Sequence, residues 1–440
     1  MNNQINIEQI KQFSTKYNSN KSNKTIEKAI TKNGLEKACI KREIVLENQP
    51  IFNIELPETK RYNQKDNHKC WIYAGINVIK YDIAKNLNID IMNLELSDNY
   101  IAFFDKLEKC NYAYETILNS KNTSLEYLNK ENVIKYCATE AGYWPMFVAI
   151  VEKYGIVPKK FMPDVVESMN YQKLEIVLSE KLKKDCIILI SMKNQNESIE
   201  NLEDKKQKFL QEDYELLSKI LGEPPFYFTY EYQDKNGKKQ TYKDITPIEF
   251  KNKFLTLNLK EFVSIGNVPM YNKEYEKVYK KKYTGNVYGK SDVSFLNLPI
   301  EDLKRFAIQQ LKEGIPVWMG AHIRKFESEE AGILDTRLYN YRETLNLKCL
   351  TKEEALNLRD IELHHAMIFC GVHLEDDKPI RWKVEDSYGE QEKINGYYVM
   401  NDKFFDEFVF NVIVQKKYLT NRQIKLLEQE PIEFEIEEPF

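Results

Sequence analysis

NQKDNHKCWIYA, residues 63–74, decides how the rest of this 440-residue chain is read. From Cys70 onward, Ile72, Ile76, Ile79, Ile83 and Leu87 recur at spacings of three or four, which predicts one helix with a broad apolar stripe and Cys70 at its N-terminal end. A cysteine attacks carbonyls as the thiolate, and the partial positive charge of a helix N-terminus favours that form. The competing reading makes Cys70 a small buried hydrophobe, which is what an arbitrary cysteine usually is. Gln64 separates the two readings. It lies in a polar loop six residues earlier, where its side-chain amide can share an oxyanion with the Cys70 backbone N–H.

A nucleophile of this kind needs a base, and the chain has only His68, His322, His364, His365 and His373. The C-terminal part holds two strand-like runs joined by the loop HLEDDKP. A turn centred on Glu375 and Asp376 sets residue 386, an aspartate, opposite His365. Cross-strand partners have Cβ atoms about 4.5–5.5 Å apart, so Asp386 can accept the ring proton of His365 and orient it, unless a bulge breaks the register. Metal binding is the rival use of these histidines. His364 and His365 are successive on a predicted strand and face opposite sides, and neither HExxH nor CxxC occurs, so no metal site is expected. His322, His364 and His373 then read as ordinary core or surface histidines.

Bulk properties exclude several other classes. Lys plus Arg number 64 against 68 for Asp plus Glu, so the molecule presents no general cationic field and nucleic-acid binding is not expected. The local run Lys280, Lys281, Lys282 is the one place where it would be sought. Seven cysteines at irregular spacings, in a chain long enough to bury a large core, fit a reducing compartment. The start, MNNQINIEQIKQF, has no continuous apolar segment, and no later window has membrane-spanning character, so a cytoplasmic protein with no membrane association is expected.

Residues 5–45 read as two short helices broken by NSNKSNK, and 97 to about 190 as a helical insertion. Residues 191–290 turn Lys/Glu/Asn-rich, with strand-like FYFTYEY and the turn signal DKNGKK, and read as a protruding sub-domain. Beyond residue 300 a helix leads into IPVWMGAHI, then AMIFCGV, IRWKVED and GYYVMN, an antiparallel sheet. The class is α+β, divided at 1–96, 97–190, 191–290, 291–425 and 426–440.

With these motifs in place the chain resembles the bleomycin hydrolase/aminopeptidase C branch of papain-like cysteine peptidases. NQKDNHKCWIYA is similar to the nucleophile motif of that family, HHAMIFCGV (364–372) to its histidine motif and WKVEDSYGE (382–390) to its Asn-Ser-Trp-Gly motif. KAITKNGLEKA, WPMFVAIVEKYGIVPKKFMP, GIPVWMGAHI and LLEQEPI carry the likeness along nearly the whole chain. The resemblance implies a two-lobed core, with a catalytic-helix lobe and a barrel-like antiparallel sheet lobe, decorated by a helical insertion and a hook sub-domain. It implies Cys70 as nucleophile, His365 as general acid and base, Asp386 as its orienting group and Gln64 in the oxyanion hole. His68, Trp71, His364, Tyr388 and Phe440 would line the substrate cleft. Peptide substrates, a homohexamer joined through the hooks and no cofactor go with it, and the implied activity is that of an aminopeptidase.

Three positions and the tail depart from the family pattern. Asp386 replaces an asparagine, adding a charge that favours imidazolium at His365 and moves the alkaline limb of activity upward. Tyr388 replaces a tryptophan and weakens the shielding of the His/Asp pair, while His68 replaces a glycine and crowds the cleft. The tail IEFEIEEPF is several residues short of the arm that blocks the cleft in aminopeptidase members. A short arm implies an endopeptidase unless Glu437, Glu438 or the Phe440 carboxylate binds the substrate amine; the tail also reads as a disordered acidic end. A catalytically weakened oligomeric binding protein is the remaining alternative.

Overall fold

The computed structural model describes residues 4–440 apart from 66, 122–123, 125–133, 135–138, 291, 390–394, 436–437 and 439–440. Four helices open the chain where two were expected: α1 (Ile7–Ser19), α2 (Lys21–Asn33), α3 (Leu35–Cys39) and α4 (Arg42–Glu47). The break expected in NSNKSNK falls there but narrows to Asn20, the one residue between α1 and α2, whose side chain caps α2 by accepting the Ser22 N–H. None of the residues of α1 is buried, and its apolar positions Ile7, Ile10 and Phe13 are exposed.

α5 (Cys70–Leu87) is the predicted helix, with Ile72, Ile76, Ile79, Ile83 and Leu87 each at most 1% exposed. It ends where Asn88 takes the left-handed conformation at φ 55°, a conformation that asparagine tolerates. Its N-cap residue, Lys69, offers no side-chain acceptor, so the first turn starts uncapped. The Lys69 ammonium is instead buried in an ion pair with Asp98 at 2.5 Å, and the Tyr73 hydroxyl donates to the same carboxylate at 2.9 Å. These bonds pin the start of α5 to α6 (Asp98–Asn119). α7 (Trp144–Tyr154) crosses α5 closely enough that a Cβ on Gly75 would lie 2.6 Å from the Phe147 ring. α8 (Val166–Met169) precedes the long pair α9 (Gln172–Asn194) and α10 (Ile199–Leu221). The expected boundary at 190/191 falls inside α9.

Among the described residues twelve strands form one sheet. Its order is β14 (Ile432–Phe434), β5 (Lys277–Lys281), β6 (Ser294–Asn297), β4 (Phe262–Gly266), β13 (Val409–Gln415), β7 (Val317–Ala321), β10 (His365–Glu375), β11 (Lys378–Glu385), β12 (Tyr397–Asn401), β9 (Ile333–Leu334) and β8 (Glu327–Ser328), with β1 (Ile54–Glu55) added to β10. Most pairings are antiparallel, while β4–β6, β5–β14 and β9–β12 are parallel. A separate hairpin, β2 (Phe228–Gln233) with β3 (Lys239–Ile245), carries the aromatic run at 226–232. Thus α5 and its helical neighbours form one side of the molecule and the large sheet the other, and Asn77 on α5 spans them by donating to the Glu385 carboxylate at 2.9 Å.

The β10–β11 hairpin corrects the expected register. Its turn is Asp376–Asp377, with φ 48° and 60°, and Glu375 faces Lys378. Two consecutive left-handed residues match a two-residue type I′ turn. The ladder runs through two irregularities and ends at Ile368↔Glu385, so His365 and Asp386 are not direct cross-strand partners; His365 pairs with Ala321 of β7 on its other side. Near the site the register differs from the expected one by two residues. Side chains repeat every second residue, so Asp386 stays on the face of His365 and reaches it diagonally.

Candidate active site

The uncapped start of α5 brings Cys70 to the groove between the helical side and the sheet. His365, the first residue of β10, donates from Nε2 to Asp386 Oδ1 at 2.8 Å, and both residues are buried. That leaves Nδ1 as the nitrogen for the sulfur, and Cys70 shares the cavity wall with the ring. Burial opposes the charged imidazole. The Asp386 carboxylate, by charge and by hydrogen bond, and then Cys70 outweigh it, and His365 is pushed up to about 10. A protonated imidazole on the cavity wall is a proton donor placed for general-acid work.

Gln64 is buried against the segment that carries Asp386. Its backbone N–H donates to the Ser387 carbonyl at 2.6 Å, and its Oε1 accepts from Ser387 Oγ at 2.5 Å. Its Nε2 donates to the Asn67 carbonyl at 2.9 Å and to the Tyr388 hydroxyl at 3.2 Å. Ser387 thus holds the amide orientation. Sequence reasoning had no role for it, although it sits inside the quoted WKVEDSYGE motif.

A cavity of about 640 Å³ joins these groups, lined among others by Gln64, Cys70, His365 and Tyr388. The expected cleft residues His68, Trp71 and His364 also line it, whereas Phe440 lies outside the described residues. Trp71 is a buried support: its indole N–H donates to the Glu140 carbonyl at 2.8 Å, and a Cβ on Gly142 would lie 2.2 Å from its ring. His364 corrects the opposite-faces expectation, because it precedes the strand, where alternation does not hold, and its ring shares the cavity with His365. Burial, followed by the neighbouring His322 and His365, lowers His364 to about 3 and keeps it neutral.

The His68 ring is exposed, while its backbone N–H donates to Glu140 Oε2 at 2.8 Å. Glu140 and Glu175 were not anticipated, since neither stands near the nucleophile in sequence. Among the described residues His68, Glu140 and Glu175 bring donor atoms within 4.8 Å of one another, the spacing of a possible cation cluster. The Lys106 ammonium, 3.8 Å from Glu175, supplies positive charge there already. The cavity is acidic overall: Glu140, Glu175, Glu327, Glu329 and Glu362 line it against Arg324.

The tail, expected to fall short of the cleft unless its last residues bind the substrate amine, or to be a disordered acidic end, forms β14 at Ile432–Phe434, laid parallel on β5. Lys280 pairs with Glu433 at 2.6 Å, Lys282 with Glu435 at 3.1 Å and Lys273 with Glu438 at 2.6 Å, while Lys281 Nζ donates to the Glu438 carbonyl at 3.1 Å. The lysine run considered for nucleic acid is therefore matched, residue by residue, by the acidic tail. Glu437 lies outside the described residues.

Compared with known proteins, residues 4–440 match the model of the Peptidase C1-like family. The chain is 33% identical over 433 residues to Aminopeptidase C of Listeria monocytogenes, covering 98% of this chain and 97% of that protein. It is 30% identical over 436 residues to Aminopeptidase W of Lactobacillus delbrueckii, covering 99% of each. The crystal structure of PepW from Lactobacillus rhamnosis superposes with a TM-score of 0.95 at 34% identity, covering 100% of this chain and 99% of that one.

Proposed function

This chain belongs to the Peptidase C1-like family, and from that premise we propose that it is a cysteine aminopeptidase in which Cys70 is the nucleophile, His365 the acid and base, and Asp386 the group that orients His365. The observation that carries this reading is His365 lining one cavity with Cys70 while its Nε2 is hydrogen-bonded to the Asp386 carboxylate behind it. The sulfur attacks the carbonyl carbon, and the π pair moves onto oxygen, which the Cys70 N–H and the Gln64 amide receive. His365 gives its proton to the nitrogen as the C–N bond breaks, leaving a thioester. Water, deprotonated by the neutral His365, then releases the acid and restores the thiol. An acidic cavity suits a peptide that arrives with a free N-terminal ammonium.

Hydrolysis of aminoacyl fluorophores with and without iodoacetamide tests this. Thiol-sensitive turnover is expected, falling at least on the order of 10²-fold when the α-amine is acetylated, because the blocked substrate loses its charge. Absence of thiol-sensitive turnover overturns the reading. One observation favours an endopeptidase as second choice: no described tail residue lines the cavity. Equal cleavage of blocked and free peptides would establish that alternative.

Among the described residues no helix is long and apolar enough to cross a membrane. A cytoplasmic homohexamer is the assembly we propose. The outward stripe of Ile7, Ile10 and Phe13 on α1, together with exposed Ile199, Phe226 and Tyr227, supports burial against further copies of the chain. Sedimentation velocity is expected to give a six-chain species that Phe13→Asp dissociates; a monomeric wild type would exclude it.

A further inference from the structure

One stretch of the cavity lining is continuous in sequence: Thr139, Glu140, Ala141, Gly142 and Tyr143, which lead into α7. Lys109 of α6 is fully buried against this wall, and its Nζ donates to the Thr139 carbonyl at 3.1 Å and to the Ala141 carbonyl at 2.8 Å. Its third hydrogen goes to Asp105, one helical turn earlier, at 2.9 Å, and Asn286 Nδ2 donates to the other oxygen of that carboxylate at 2.9 Å. The carbonyl between the two, that of Glu140, accepts from the Trp71 indole, and the Lys109 ammonium lies 5.7 Å from the centre of the same ring. Three successive carbonyls of the wall are thus held. Two of them are held by an ammonium, whose charge-assisted bonds are roughly twice as strong as neutral ones.

A trans peptide unit points its C=O and its N–H in opposite directions, so turning the Ala141 carbonyl to Lys109 turns the Gly142 N–H away from it. Lys109 is buried and Gly142 lines the cavity, so that N–H is on the side where substrate lies, and it has no hydrogen-bond partner among the described residues.

We propose that Lys109 is a positioning residue for peptide binding: it sets the tilt of the Ala141–Gly142 peptide unit so that the Gly142 N–H donates to a main-chain oxygen of the substrate other than the scissile carbonyl. This rests on the cysteine-peptidase reading. Lys109 touches neither the substrate nor the reacting atoms, so its contribution lies in affinity for peptides and not in the chemistry of Cys70 and His365.

Asp105→Asn combined with Lys109→Met removes the ammonium together with the charge it balances, so no lone charge is left buried. For an oligopeptide the double variant should raise KM about tenfold, the worth of one hydrogen bond, with kcat changed less than about threefold. An aminoacyl fluorophore, whose acyl part has no carbonyl but the scissile one, should keep its KM within about twofold. A rise in both KM values alike makes Lys109 a packing element and overturns the proposal, as does a rise in neither. Deuterium exchange over residues 139–143 of the wild type tests the same contact without any variant. An oligopeptide aldehyde bound to Cys70 should protect one amide more there than an aminoacyl aldehyde does, and equal protection overturns the proposal. A wild type without thiol-sensitive turnover instead defeats the peptidase reading itself, so the two failures are distinguishable.

Discussion

Cys70→Ala is expected to lower kcat/KM for aminoacyl amides by about 10⁵-fold or more, which is the loss of about 7 kcal/mol of transition-state stabilisation. The thioester route disappears with the sulfur, and what remains is whatever the oxyanion donors and substrate binding contribute to direct attack by water. The side chain is partly buried at the first position of α5, and alanine fits that position, so the fold should hold. Circular dichroism and the unfolding midpoint check this. His365→Ala should fall almost as far, and the double variant scarcely further, because the two groups act as one unit. Steady-state and burst kinetics on purified variants decide it. Activity within tenfold of wild type in Cys70→Ala would remove the sulfur from the mechanism.

How much of this site the sequence discloses depends on the range over which each contact acts. The helix that carries Cys70 was readable because its buried stripe is local, a matter of spacings of three and four that hydrophobic burial alone enforces. The His365–Asp386 contact was reached through a hairpin register that the structure corrects. The two aspartates at 376 and 377 take the left-handed turn positions, one residue later than expected, and bulges follow. The contact survives because the shift near the site is even. A one-residue slip would have turned Asp386 to the other face.

Contacts between distant segments had no local signal. Glu140 receives the N–H of His68 across 72 residues, and Gln64 meets Tyr388 across 324. Neither separation leaves a pattern in composition or periodicity. The tail shows the same limit. The lysines at 280–282, at the end of β5 and just past it, and alternate glutamates after Pro431 read separately as a basic patch and an acidic end, yet they are two sides of one parallel pairing. Pairing satisfies both charge runs at a sheet edge that would otherwise be open to association.

Asp386→Asn is expected to move the alkaline limb of kcat/KM downward, from about 10 in the wild type toward the ordinary imidazole range near 6.5. Asparagine still offers an oxygen to His365 Nε2–H, so geometry is kept and charge is lost. Burial then acts on the imidazolium without the carboxylate charge against it. Activity near pH 6 should suffer much less than activity near pH 9, where the variant would have lost the proton that the leaving amine needs. Stability carries the same sign. A histidine whose folded value is raised binds its proton in the folded state after the unfolded chain has released it. Its contribution is therefore complete below about pH 6.5 and is lost as pH rises through about 10. The denaturant midpoint of wild type relative to Asp386→Asn should accordingly decline across that window, while both proteins remain folded. Coincident alkaline limbs would show that the carboxylate charge does not set the protonation of His365. A midpoint difference constant from pH 6.5 to 10 would show that Asp386 contributes shape and hydrogen bonding alone.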